Sequence, residues 1–145
     1  MKLTLTIVIC LFLASCSTTK KTEYSFFIAG HAYGNPSEKA NNIGLYKPFK
    51  AKTSFINEQK NMKHGFLLGD VVWGQNFWPR TLEDISQFEM PIHVARGNHD
   101  GKLDYFEKQF GKSYKKFFVN EDLFIVLDLN LDQWNIAGEQ LVFLR

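Results

Sequence analysis

A chain of 145 residues has room for one domain, and 45% hydrophobic with 15% aromatic residues describes a polypeptide that buries a core, which excludes a disordered chain. The formal charge is only +2, and the lysines are scattered over Lys47–Lys63 and Lys102–Lys116 with no stripe, so the charge pattern calls for no nucleic-acid partner.

Met1-Lys2 precedes an almost wholly apolar, uncharged run from Leu3 to Leu13. About eleven residues are too few to span a bilayer comfortably, so the run reads as the hydrophobic region of a signal peptide. Leu13-Ala14-Ser15-Cys16 resembles a bacterial lipobox, in which small residues precede a cysteine that is acylated and becomes the new N-terminus. That resemblance implies a signal peptide over 1–15, a lipidated Cys16 with a polar tether over 16–23, and a domain over 24–145. It also implies a lipid-anchored, extracytoplasmic protein of the bacterial cell envelope, facing the periplasm or the surface, whose acyl chains contribute ~0.8 kcal/mol per buried methylene. Cys10 leaves with the signal peptide, so the mature chain has no disulfide.

Tyr24 to Ala29 is an aromatic and apolar run bounded by Gly30 and predicts a buried first strand. His31 to Asn42 reads as a loop. From Leu45 to Met62 apolar residues recur at near-helical spacing, with Pro48 confining the helix to the C-terminal part. Phe66 to Leu68 is the next strand and Asp70 to Trp78 the next loop. Pro79 and Thr81 start a helix through about Glu89, with Leu82, Ile85 and Phe88 on one face. Pro91 to Ala95 is a third strand, Arg96 to Gly101 a third loop, and Leu103 to Phe110 a helix closed by Gly111. Tyr114–Val119 and Leu123–Leu129 form a hairpin around Asn120-Glu121-Asp122, and Gly138 opens a final helix bearing Leu141, Val142 and Leu144. This order predicts an α/β architecture, with parallel strands first and an antiparallel pair later.

The polar clusters after Ala29, Leu68 and Ala95 all fall at the carboxyl ends of predicted strands, where ligands of open α/β sheets collect. The second and third are Gly69-Asp70 and, about 28 residues on, Gly97-Asn98-His99-Asp100. Carboxylate and amide oxygens suit a divalent ion, and an imidazole beside them can move protons. With these motifs the chain resembles the calcineurin-like metallophosphoesterases, whose ordered motifs are DxH, GD, GNH followed by D or E, a lone His, and GHxH. The resemblance implies a metallophosphoesterase-type α/β sandwich that hydrolyses a phosphomonoester or phosphodiester with two divalent ions such as Mn, Fe or Zn. It further implies that Asp70 bridges the ions, Asn98 binds one and His99 protonates the leaving group. Asp100, next in sequence, would orient the imidazole.

The chain departs from that pattern twice. At the DxH position stands His31-Ala32-Tyr33, so His31 falls on the aspartate and Tyr33 on the histidine. Sliding by two would make His31 the histidine and Ala29 the missing aspartate, but the first register places Gly34 where the family's loop usually has a glycine. His31 can bind through a ring nitrogen and Tyr33 as a phenolate. No histidine follows His99, so the later motifs are not matched, and the expectation is that these residues correspond to about the first half of such a domain, with doubtful activity alone. The competing reading is a non-catalytic, lipid-anchored binding or remnant domain. Of the remaining residues, Arg96 either binds phosphate or pairs with an acidic neighbour. Trp73, Phe77 and Trp78 either wall a substrate or pack on the scaffold. Asp128 and Asn130 support the site from behind, and His64 and His93 belong to surface or core.

Overall fold

The computed structural model describes residues 23–34 and 43–145; Cys16 with the signal-peptide and tether segments, and most of the loop predicted after His31, lie outside the described residues. Three strands, β1 (Ser25–Gly30), β2 (Met62–Leu68) and β3 (Ile92–Ala95), form a parallel sheet in the order β1-β2-β3. Between β1 and β2 lie α1 (Lys47–Lys50) and α2 (Thr53–Asn57), and between β2 and β3 lie a single 3₁₀ turn (Gln75–Phe77) and α3 (Trp78–Ile85). Then follow α4 (Leu103–Phe110), the antiparallel hairpin of β4 (Lys115–Val119) and β5 (Asp122–Val126), and α5 (Gly138–Phe143). This is the expected mixed α/β architecture, a parallel sheet followed by an antiparallel pair.

Alternation along each strand sends side chains to two faces of the sheet. Leu67 and Val94 point into the main core with Ala32, Leu45, Ile56, Val71, Val72, Trp78, Phe88 and Phe106, with Phe27 and Ala29 packed against it. Gly65 is required there, because a Cβ on it would collide with the Phe27 ring and with Ile92. On the other face the hairpin lies across the sheet, with Phe124 stacked on Phe66 at 5.0 Å and edge-on to Phe26 at 5.5 Å. The cover is partial: Phe26, Ile28, Leu68 and Ile125 stay exposed around an apolar cleft of about 250 Å³.

Several boundaries differ from expectation: α3 ends at Ile85 and not about Glu89, β5 at Val126 and not Leu129, and two further differences have a visible cause. The helix predicted toward Met62 is two short turns, and Thr53 Oγ1 donates to the Lys50 carbonyl at their junction. β2 begins at Met62, four residues early, because Met62, His64 and Gly65 pair with β1 across an irregularity that skips Lys63. The segment entering α1 is fastened to α3 by Asp84, buried, which accepts from the Leu45 N–H at 3.0 Å and pairs with Lys50 at 2.5 Å and Arg80 at 3.3 Å.

His64 and His93 stand side by side on β2 and β3 with Nδ1 of His64 3.1 Å from Nε2 of His93. Phe117 stacks on His93 at 4.2 Å. Burial, then His64, then Lys115 push His93 down to about 4. The folded chain therefore favours neutral His93, whereas the unfolded chain takes up a proton near ~6.5. The histidine's penalty is absent above that value and grows as pH falls toward 4. Urea unfolding should accordingly show a larger loss of stability from pH 7 to pH 4.5 in the wild type than in His93→Phe; equal losses would remove His93 as a source of acid sensitivity.

Candidate active site

Because the three strands are parallel, their carboxyl ends share one edge of the sheet, and the loops leaving it bring His31, Asp70 and the 96–100 turn together. The chain leaves β1 and β2 through left-handed backbone: φ is 54° at His31, 72° at Gly69 and 49° at Asp70. For His31 and Asp70 this conformation costs roughly 1–2 kcal/mol each, strain of the kind that collects at functional positions. The His31 N–H donates to the Gly69 carbonyl at 3.2 Å, tying the two exits. Gly97 passes so close to Asp70 that a Cβ on it would strike the Asp70 backbone nitrogen and carboxylate.

The Asp70 carboxylate is the meeting point. One oxygen lies 3.3 Å from Nδ1 of His31, and the other accepts the backbone N–H of His99 at 3.2 Å. His31 is largely exposed and the Asp70 side chain about one-fifth so, at 19%. His31, Asp70 and Asn98 line one cavity of about 460 Å³. His99 points elsewhere: its Nδ1 lies 3.2 Å from the Trp73 carbonyl. A carbonyl only accepts, so Nδ1 carries the proton and Nε2 is the nitrogen left for other chemistry. The Trp73 indole stacks on the His99 ring at 4.6 Å. Tyr33 closes this group of rings, 5.4 Å from Trp73 and 4.4 Å from His31.

One expected role is corrected, and an open alternative is decided. Asp100 does not orient the His99 imidazole; its buried carboxylate accepts from the N–H groups of Val71 (2.7 Å), Val72 (3.0 Å) and Gly97 (2.7 Å). Burial raises its pKa, and those three bonds oppose the rise. Arg96 is not aimed at a phosphate; its guanidinium is held by buried Asp128 at 2.7 Å and by the Gly101 carbonyl at 3.3 Å. Tyr33 stands beside His31 and Trp73, and burial and then the charge of Asp70 raise its pKa in the metal-free chain. Of the three loop aromatics, Trp78 is fully buried and Phe77 packs on the core, which leaves Trp73, 40% exposed, beside the site.

Asp128 and Asn130 do brace the site. Asn130 Nδ2 donates to the Arg96 carbonyl at 3.0 Å, and Gln140 holds Asp128 through both ends of its amide, accepting the N–H and donating to the carbonyl at 2.8 Å each. The far wall of the cavity, Leu127, Leu129 and Trp134, was not anticipated, since that segment carries no motif; an isolated tryptophan among polar residues was its only signal.

A carboxylate, an imidazole and an amide oxygen on one cavity fit a divalent ion of the Mn, Fe or Zn type. Among the described residues no cluster of three His, Cys, Asp or Glu side chains exists, so the fit depends on Asn98 as the third donor. The fold and this edge define a mixed α/β protein with its polar loops gathered at the carboxyl ends of a parallel sheet. The chain belongs to the calcineurin-like phosphoesterase family, whose profile matches residues 34–143. Enzymes of this family act on phosphate esters and generally use divalent metals, and the match begins just past His31 and Tyr33. No curated protein and no solved structure matches the chain.

Asp100→Asn puts an amide N–H₂ where a backbone N–H must be received. Destabilisation by roughly 2 kcal/mol is expected in denaturant unfolding; an unchanged midpoint would show that the three bonds do not hold the loops.

Proposed function

We propose that this protein hydrolyses a phosphomonoester or phosphodiester at a dinuclear divalent-metal centre, on the extracytoplasmic side of a bacterial membrane to which Cys16 anchors it. The observation that carries the catalytic part is the Asp70 carboxylate, shared between His31 and the His99 backbone and opening onto the same cavity as Asn98.

In this reading Asp70 would be the ligand shared between the ions, since a shared anion offsets the repulsion between neighbouring cations. Asn98 binds through its amide oxygen and His31 through a ring nitrogen. The bound ions, whether Mn, Fe or Zn, supply charge that neutralises the phosphoryl oxygens. Water supplies the oxygen that bonds to phosphorus as the P–O bond to the leaving group breaks, and His99, entering as imidazolium, would deliver its Nε2 proton to the leaving oxygen while Nδ1–H is held by the Trp73 carbonyl. Trp73 and Tyr33 form the wall beside that leaving group. Asp100 and Arg96 act one step back, setting the loops. The Leu13–Cys16 lipobox supports the anchor and the location. Among the described residues no helix is long and apolar enough to cross a membrane.

The roles separate experimentally. Asp70→Asn should lose metal, measured by plasma mass spectrometry, whereas His99→Asn should keep it and lose ~10²-fold or more in turnover. Equal metal in Asp70→Asn would remove Asp70 from the ligands. Wild-type protein that holds no transition metal and cleaves neither nitrophenyl phosphate nor its bis ester would favour the binding-domain reading. Cys16→Ser should move the protein from the membrane to the soluble fraction, and persistence in the membrane would contradict lipid anchoring.

A further inference from the structure

Beyond β5 the chain makes a tight turn in which Asp132 and Asn135 pair and the Asn135 N–H donates to the Asp132 carbonyl at 3.0 Å. Both central residues are left-handed, Gln133 with φ 49° and Trp134 with φ 69°. Positive φ at both centres is the pattern of a type I′ turn, whose usual occupants are Asn and Gly. A bulky side chain there strains the backbone. The strain gains no burial, because Trp134 is 65% exposed. It does fix a position: the Trp134 N–H donates to the Leu129 carbonyl at 2.8 Å, and the indole borders the cavity that holds His31, Asp70 and Asn98. Leu127 and Leu129 line the same side, whereas the rings of Tyr33, Trp73 and His99 stand outside this cavity.

A solvent-facing indole on a fixed backbone turn, beside an apolar wall and the proposed metal and phosphate site, is suited to a ligand with an anionic end and a flat apolar end. We propose that Trp134 is a specificity-determining residue that stacks on a flat aromatic group, an aryl or nucleobase group, on the retained side of a phosphodiester bound at Asp70 and Asn98, opposite the leaving group that faces His99. This rests on the reading of those two residues as the metal and phosphate site. It narrows the substrate class from phosphate esters in general to diesters whose retained group is aromatic. The flat face of Trp134 tolerates different rings, so recognition follows planarity more than hydrogen-bonding pattern.

The test uses the full chain loaded with manganese and two phosphonates that cannot be hydrolysed, phenylphosphonate and methylphosphonate, with affinities from titration calorimetry. The wild type should bind the phenyl compound about tenfold more tightly, consistent with one stacking contact. Trp134→Ala should bring the two within about twofold while leaving methylphosphonate unchanged, and Trp134→Phe should retain most of the preference. A preference that survives Trp134→Ala, or that disappears in Trp73→Ala instead, overturns the assignment. Equal weakening of both phosphonates in Trp134→Ala overturns it too, since that marks a purely structural role. If the wild type binds neither phosphonate, the phosphate site itself falls and Trp134 loses its role with it, an outcome distinct from binding without preference.

Discussion

Three backbone N–H groups, on Val71, Val72 and Gly97, converge on the buried carboxylate of Asp100, and the geometry of the site depends on that convergence. Two of the donors follow Asp70 and the third precedes Asn98, so one side chain welds the loop after β2 to the turn after β3. The weld allows Gly97 to lie against Asp70 and lets Asp70 receive the His99 N–H. Buried donors without partners would cost roughly 1–3 kcal/mol each, so the carboxylate is both the fastening and the reason the loops tolerate burial. The Trp78 indole adds a bond to the Asp100 carbonyl at 2.8 Å, which links the turn to the main core.

Around this fastening the fold divides its labour. The parallel sheet delivers three loop exits to one edge, and residues of α1 to α4 pack into the core on one face of it. The hairpin partly covers the other face and carries the chain on to Asp128, where the Arg96 ion pair and the Gln140 amide hold the segment behind the site. Left-handed backbone at His31 and Asp70 brings an imidazole and a carboxylate within 3.3 Å. Packing, more than local preference, sustains these conformations. At Trp134 a strained turn, tied by its N–H to the Leu129 carbonyl, sets an exposed residue at the rim of the cavity.

Much of this was legible in the sequence where local pattern and chemistry agree. The strands before Gly30, Gly69 and Arg96 announce themselves by apolar runs ending in glycine or polar residues, and α4 ends at Gly111, whose φ is 73°. Gly69-Asp70 and Gly97-Asn98-His99-Asp100 named the family that the profile match supports. What local pattern does not carry is the partner of each side chain. Asp100 beside His99 in sequence suggests a contact between them, yet the turn sends the carboxylate inward to backbone donors and the ring outward to Trp73. Arg96 gave no sign of which anion it would meet, because Asp128 lies 32 residues away. The early start of β2 escaped notice because Lys63 and His64 are polar, and only the covering ring of Phe117 makes a place for a histidine pair.

The central claim is that Asp70, Asn98 and His31 hold a divalent cation at the sheet edge. Anomalous diffraction from crystals of the wild-type protein soaked in manganese tests it without reference to turnover. The expected result is an anomalous peak with an Asp70 carboxylate oxygen and the Asn98 amide oxygen in its first coordination shell. A peak elsewhere, or none at this edge, would contradict it.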